Sequence, residues 1–227
     1  MDLPTSNIHK QSIESFDTST LLKNAARQRD DRGLHKFPIV DVDCHHYENE
    51  SIQEIVKYID DEVISQMGQL YTAGGTGGQA PFSVAGVGYQ DVAGRVTRYP
   101  LRKTETTPAD DKHRDIHLSL RWMDAMGVDY VCLFPTPMLS LGLHPQPEIE
   151  GALAKAYNRW LLENITSREK RIKTMMYVPF GDPEAAYETV LEFGDNPDVI
   201  GFMICSVRYQ AVHNNAYMKT YALMEEL

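Results

Sequence analysis

Arg114-Asp115-Ile116-His117-Leu118-Ser119-Leu120-Arg121-Trp122-Met123-Asp124-Ala125-Met126-Gly127, followed by Tyr130-Val131-Cys132-Leu133-Phe134-Pro135, is the stretch whose reading decides the fold. The first part reads as a helix that runs out through Gly127. The second is a short apolar run closed by proline, the pattern of a buried strand. The same unit recurs downstream. Helix Pro147 to Ile165 precedes strand Thr174 to Val178, helix Pro183 to Phe193 precedes strand Val199 to Ile204, and a last helix spans Asn215 to Leu227. Upstream, Phe37-Pro38-Ile39-Val40-Asp41-Val42-Asp43 reads as a first strand with polar chemistry at its carboxyl end. Ser51 to Met67 reads as an amphipathic helix, with Ser51 as its cap and Glu54 completing a capping box.

Strands alternating with helices imply parallel pairing through right-handed crossovers, so the fold class is α/β. An open sheet and a barrel both gather polar residues after the strand carboxyl ends. No GxGxxG or GxxxxGK[ST] follows the first strand, which argues against a nucleotide-binding sheet. Four strands are visible where a (β/α)8 barrel needs eight, and Leu227 closes a helix without a capping Gly, Asn or Pro. The expectation is therefore a partial (β/α)8 TIM-like barrel, its first four or so βα units, in residues 37–227. Residues 1–36 form an N-terminal extension with a short helix around Thr18 to Arg29. Residues 68–110, rich in glycine and with a hairpin-like Gly94 to Tyr99, form a β insertion or lid after strand 1.

Composition excludes several functions. Of 227 residues, 42% are hydrophobic and 24% charged, ordinary for a globular chain able to bury a core. A formal net charge of -10 argues against a nucleic-acid surface, which needs clustered Lys and Arg. The basic run Arg168 to Lys173 is interrupted by Glu169 and reads as a solvated helix end. No apolar stretch approaches a membrane span, and Met1 to Arg32 has no secretory h-region. Cys44, Cys132 and Cys205 sit in or beside apolar runs with no CxxC pair, which fits buried thiols in a reducing, cytoplasmic setting.

Asp41-Val42-Asp43-Cys44-His45-His46-Tyr47-Glu48 is the densest group of metal-type donors in the chain. Strand alternation points Asp43 and His45 to one side, where Asp41 can join them, and turns Cys44 away. Such oxygen and nitrogen donors suit Zn, Mn or Fe. The bland alternative is that the aspartates cap the following turn and the histidines are surface residues.

From Ile39 to Glu48 the sequence resembles the opening strand of the amidohydrolase-related family of metal-dependent hydrolases and aminocarboxymuconate-semialdehyde-type decarboxylases. Leu120 to Asp129, Ala156-Tyr157-Asn158-Arg159-Trp160 and Gly201-Phe202-Met203-Ile204 follow in the family's order, over roughly residues 37–227. The resemblance implies that Asp43 and His45, as Asp-x-His, bind a divalent metal, with Glu48 where many members carry an acid. It also implies a further His after the fifth strand and an Asp after the eighth, positions without a counterpart here. His213, in a His-Asn-Asn turn, does not match the missing ligand. The function implied is hydrolysis of a small organic substrate by a metal-activated water. Within the family the alternative is non-oxidative decarboxylation of a small aromatic or unsaturated acid. No catalytic acid or base is identifiable.

Outside the motif, His144 and Arg208 follow the second and fourth strands and are candidate substrate-binding residues, Arg208 for a carboxylate. A surface loop and a structural ion pair are the competing readings. His113 and His117, at i and i+4, have metal-compatible spacing but read as solvated; Met175 and Met176 read as core. Ser206 lacks triad partners. Two readings from other classes stand beside the enzyme. One is a non-catalytic α/β binding module. The other is a response-regulator-like sheet using Asp41 and Asp43 for Mg²⁺, which the long insert after strand 1 disfavours. A half-barrel would expose strand edges, so a homo-oligomer is a further expectation.

Overall fold

The computed structural model describes residues 18–46, 48, 51–72, 107–206 and 208–227. It is an α/β fold with a four-stranded parallel sheet, β1 Val40–His46, β2 Tyr130–Pro135, β3 Ile172–Tyr177 and β4 Val199–Met203, in the order β1-β2-β3-β4. The helices are α1 Thr18–Arg32, α2 Ile52–Ile55, α3 Glu62–Thr72, α4 Arg114–Met126, α5 Pro147–Asn164, α6 Pro183–Phe193 and α7 Met218–Glu226. Strands laid down in sequence order by crossovers of one hand put the connecting helices on one face of the sheet. This is compatible with successive βα units.

Local chemistry explains where the elements begin and end. α4 starts where the His113 ring accepts the amide of Asp115, and it stops at Gly127, whose φ of 77° is a left-handed cap that glycine adopts without steric cost. α6 has Pro183 in its first turn, behind Asp182, whose Oδ1 accepts the amides of Glu184 at 2.8 Å and Ala185 at 3.3 Å. Arg171, just before β3, stitches the amino end of the sheet. Its guanidinium reaches Asp124 Oδ1 and the carbonyls of Val128 and Asp129 at 2.8–3.0 Å.

The helix after β1 and its capping box need correction. The helix read over Ser51 to Met67 is broken into α2, a 3-10 turn Val56–Tyr58 and α3, because Asp61 starts a new helix by accepting the amides of Val63 and Ile64 at 2.9 Å. The capping box does not form. The Ser51 hydroxyl donates to Asp115, and Glu54 accepts from the Trp160 indole at 3.0 Å. Of the span read as an insertion, residues 68–72 belong to α3. The glycine-rich part of that span and the Gly94 to Tyr99 hairpin lie outside the described residues. α1 runs three residues beyond the helix read in the extension, to Arg32, and Arg29 donates to the Asp124 carbonyl at the end of α4.

The main core lies between the sheet and α2, α4 and α5, where Val131 and Leu133 meet Ile116, Met123, Tyr157 and Trp160. A second cluster, built on Phe180 stacked over Tyr217 at 3.7 Å, joins the exit of β3 to α6 and the 3-10 turn before α7. Met176 is core as read, buried with Leu162 and Phe193. The prediction here concerns the α6 cap. Asp182→Ala is expected to cost about 1 kcal/mol, seen as a lower urea midpoint with an unchanged slope.

Candidate functional site

Of the polar side chains named from the sequence, Asp43 and His45 lie together on the carboxyl half of β1, beside the end of β2. Asp43 Oδ1 and His45 Nε2 stand 3.4 Å apart, with the Asp43 side chain 79% exposed and the His45 ring 29% exposed. The other His45 nitrogen, Nδ1, lies 3.0 Å from the Thr136 hydroxyl, and the ring packs edge-on against Phe134 at 4.6 Å. Asp41 does not join them as a donor. Its carboxylate accepts the Asp43 amide at 3.0 Å, where the β1–β2 register shifts between Asp41 and Cys44. This bond lies inside β1, at the irregularity, and not in the turn that follows the strand. Cys44 faces away and is buried, as the alternation required.

Glu48, two residues beyond β1, is fully buried. Its Oε2 accepts the Thr136 amide at 2.9 Å and its Oε1 the Met138 amide at 2.6 Å, so one carboxyl group caps the turn leaving β2. Burial pushes its pKa up from 4.5 to about 7, although the charge of His46 and the amides of Thr136, Glu48 itself and Met138 pull it down. Glu48 is thus a carboxyl poised between its two protonation states near neutral pH.

His46 is no surface residue. It is 1% exposed, with Nε2 3.1 Å from Asp115 Oδ2, Nδ1 3.1 Å from the Tyr157 hydroxyl, and its ring stacked on Trp160 at 5.6 Å. Burial opposes the charge on Asp115, but the hydrogen bond and charge of His46, the charge of His113 and the Ser51 hydroxyl outweigh it and hold the carboxyl below its usual range. His113 and His117 are likewise engaged rather than solvated. His113 Nε2 meets Glu54 at 3.1 Å and His117 Nε2 meets Asp110 at 2.7 Å, so their helical spacing serves anchoring. The sequence reading gave no site role to Asp115, Thr136 or Tyr157, because each gains its role from a partner 69 to 111 residues away.

A second polar group lies at the carboxyl ends of β3 and β4. Glu150, buried in the first turn of α5, accepts the Tyr177 hydroxyl at 3.1 Å and the Phe180 amide at 2.9 Å. Burial raises its pKa, and burial likewise raises those of Tyr177 and Cys205, the latter to about 12. Cys205 is therefore a thiol, not a nucleophilic thiolate. Arg208 donates to the Cys205 carbonyl and sits 5.8 Å above the Phe180 ring, while its Nε is buried with no partner among the described residues. His144 closes a local turn, Nδ1 lying 3.1 Å from the Gln146 carbonyl, and His213 sits exposed in a turn before α7. Of the four site residues read from the sequence, Asp43 and His45 meet directly. Arg208 and His144 make their recorded contacts elsewhere.

Among the described residues no three His, Cys, Asp or Glu side chains converge as a metal site, and no helix is long and apolar enough to cross a membrane. All three cysteines are buried and unpaired with one another. Compared with known proteins, the chain matches no family model, and no curated protein matches its sequence.

Two predictions follow from the buried acids. The folded state holds a proton on Glu48 that the unfolded chain releases, so this group weakens the fold as pH rises from 4.5 to about 7. Across that window Glu48→Gln is expected to gain about 3 kcal/mol relative to wild type, measured as the change with pH in the difference between their urea midpoints. Asp115→Ala leaves His46 buried without its carboxylate and is expected to cost about 3 kcal/mol, read by thermal unfolding.

Proposed function

We propose that the chain belongs to an amidohydrolase-type metal-dependent hydrolase of (β/α)8-barrel architecture, acting on a small organic substrate, and that it carries two of the metal ligands. Asp43 and His45 are the residues that would hold the divalent ion, most suitably Zn. The observation that carries this reading is the 3.4 Å between Asp43 Oδ1 and His45 Nε2. Two donors each bound at about 2.1 Å in tetrahedral geometry stand about 3.4 Å apart, so the pair already has the spacing of one edge of such a site. The Thr136 hydroxyl behind His45 supplies the outer-shell partner that ring orientation needs. Two donors make an incomplete site, since zinc centres use at least three protein ligands. A bound ion would lower the pKa of its water towards ~7 and so supply the hydrolytic nucleophile.

One feature favours the decarboxylase variant of the same reading. Arg208, its Nε buried and without a partner among the described residues, suits a substrate that brings its own carboxylate.

Metal analysis after dialysis against Zn²⁺ tests the proposal. The wild-type chain, with two of the donors, is expected to take up more Zn²⁺ at equilibrium than an Asp43→Ala/His45→Ala variant. Equal metal in both forms would sink the assignment. Released CO2 from acid substrates would favour the lyase, and a cleaved amide, ester or lactone the hydrolase.

A further inference from the structure

His113 stands just before α4, and both nitrogens of its ring have partners of fixed polarity. Nδ1 lies 3.1 Å from the backbone amide of Asp115, which can only donate. Nε2 lies 3.1 Å from Glu54 Oε2, an oxygen that also accepts the Trp160 indole N–H at 3.0 Å. A carboxylate can only accept, so the proton of the neutral ring sits on Nε2 and the lone pair of Nδ1 receives the amide. The ring is thereby the N-cap of α4, on an extended backbone with φ -60° and ψ 145°. Histidine is an unusual cap. A Ser or Asp in its place would not reach Glu54 or present a ring edge to Trp160, whose centroid is 5.2 Å away.

An imidazolium has no acceptor, because both of its nitrogens donate. A protonated His113 would aim Nδ1–H at the Asp115 N–H, donor against donor, and the cap would be lost. The same nitrogen stands 3.6 Å from Asp115 Oδ2, a small ring rotation away from a hydrogen bond. That oxygen already lies 3.1 Å from His46 Nε2 and accepts the Ser51 hydroxyl at 3.0 Å. Among the described residues, the charges facing the ring are Glu54 from α2 and Asp115 from α4. Trp160 of α5 brings none, and His46 of β1 lies beyond Asp115. Lys112 and Arg114 flank it in the chain, Lys112 held 3.4 Å from Glu169. The His113 side chain is 18% exposed, so solvent protons reach it.

We propose that His113 is a proton-operated cap. Neutral, it closes the first turn of α4. Protonated, it releases the Asp115 amide and turns Nδ1–H onto the Asp115 carboxylate, the group that anchors His46. Acid thereby alters the hold on β1 through one side chain. Neither Asp43 nor His45 takes part, and no metal is needed.

Nitrogen-15 NMR of the His113 ring, assigned through bonds from its own backbone, tests this while the wild-type chain is acidified and the Asp115 amide is followed. The neutral ring is expected with Nε2 protonated and Nδ1 bare. As the ring takes its second proton, the Asp115 amide is expected to exchange roughly fivefold faster relative to its intrinsic rate at the same pH, the factor that the usual worth of a cap implies. His113→Asn and His113→Ser keep a capping oxygen that does not titrate, so the step is expected to vanish in both. His113→Ala is expected to show the faster exchange at every pH. A neutral wild-type ring with its proton on Nδ1, or an Asp115 amide indifferent to protonation of the ring, would overturn the proposal without any variant. So would the same step in a folded Asn or Ser variant, which would trace it to Asp115, His46 or Glu48 instead.

Discussion

The buried pairing of His46 with Asp115 is the constraint on which the carboxyl end of the sheet depends. Taking two ionisable groups out of water costs several kcal/mol each, recovered only when their remaining hydrogen-bonding capacity is satisfied. Here it is. Tyr157 meets the second His46 nitrogen, the Ser51 hydroxyl donates to Asp115, and Asp115 lies in the first turn of α4, where the helix dipole favours a negative charge. With Trp160 stacked on the imidazole, the cluster fastens β1 to α4 and α5 and to the residue preceding α2. The strand that carries Asp43 and His45 is thereby held on its covered side, leaving those two side chains on the other.

The acids near the strand ends are set apart by environment. Glu48 and Glu150 both sit in dry surroundings with backbone amides as their main partners, and burial raises both. Asp115, equally buried, has histidines beside it and goes the other way. Asp43, open to solvent, meets only the His45 ring among its recorded ion-pair contacts. Three carboxyl groups near the strand ends are thus held differently, Asp115 lowered by its histidines, Glu48 raised by burial and Asp43 in water. Cys205 and Tyr177 add no nucleophile, since burial holds both protons in place.

Much of the fold was legible because its signals are local. α4 and α6 run over the residues read for them, since Gly127 on one side and Asp182-Pro183 on the other are punctuation that acts within one turn of helix. Strand edges moved by at most three residues, most of all at β1, which extends to His46 because its carboxyl end pairs with Pro135, a partner invisible from within the run. The helix after β1 was misread for a related reason. Its apolar spacing was continuous, but Asp61 had two amides to cap, and Ser51 had a better partner in Asp115 than in its own helix.

The sequence by itself determined the alternation of strands and helices and the adjacency of Asp43 and His45, because the pleat puts residues two apart on one side of a strand. The tertiary structure decided what each polar group does. Thr136 is 88 residues from Glu48 and 91 from His45, and Asp115 is 69 from His46, so no window along the chain contains these pairs. Burial, which sets their protonation and turns His46 from a surface histidine into an anchor, exists only once the helices have closed over the sheet.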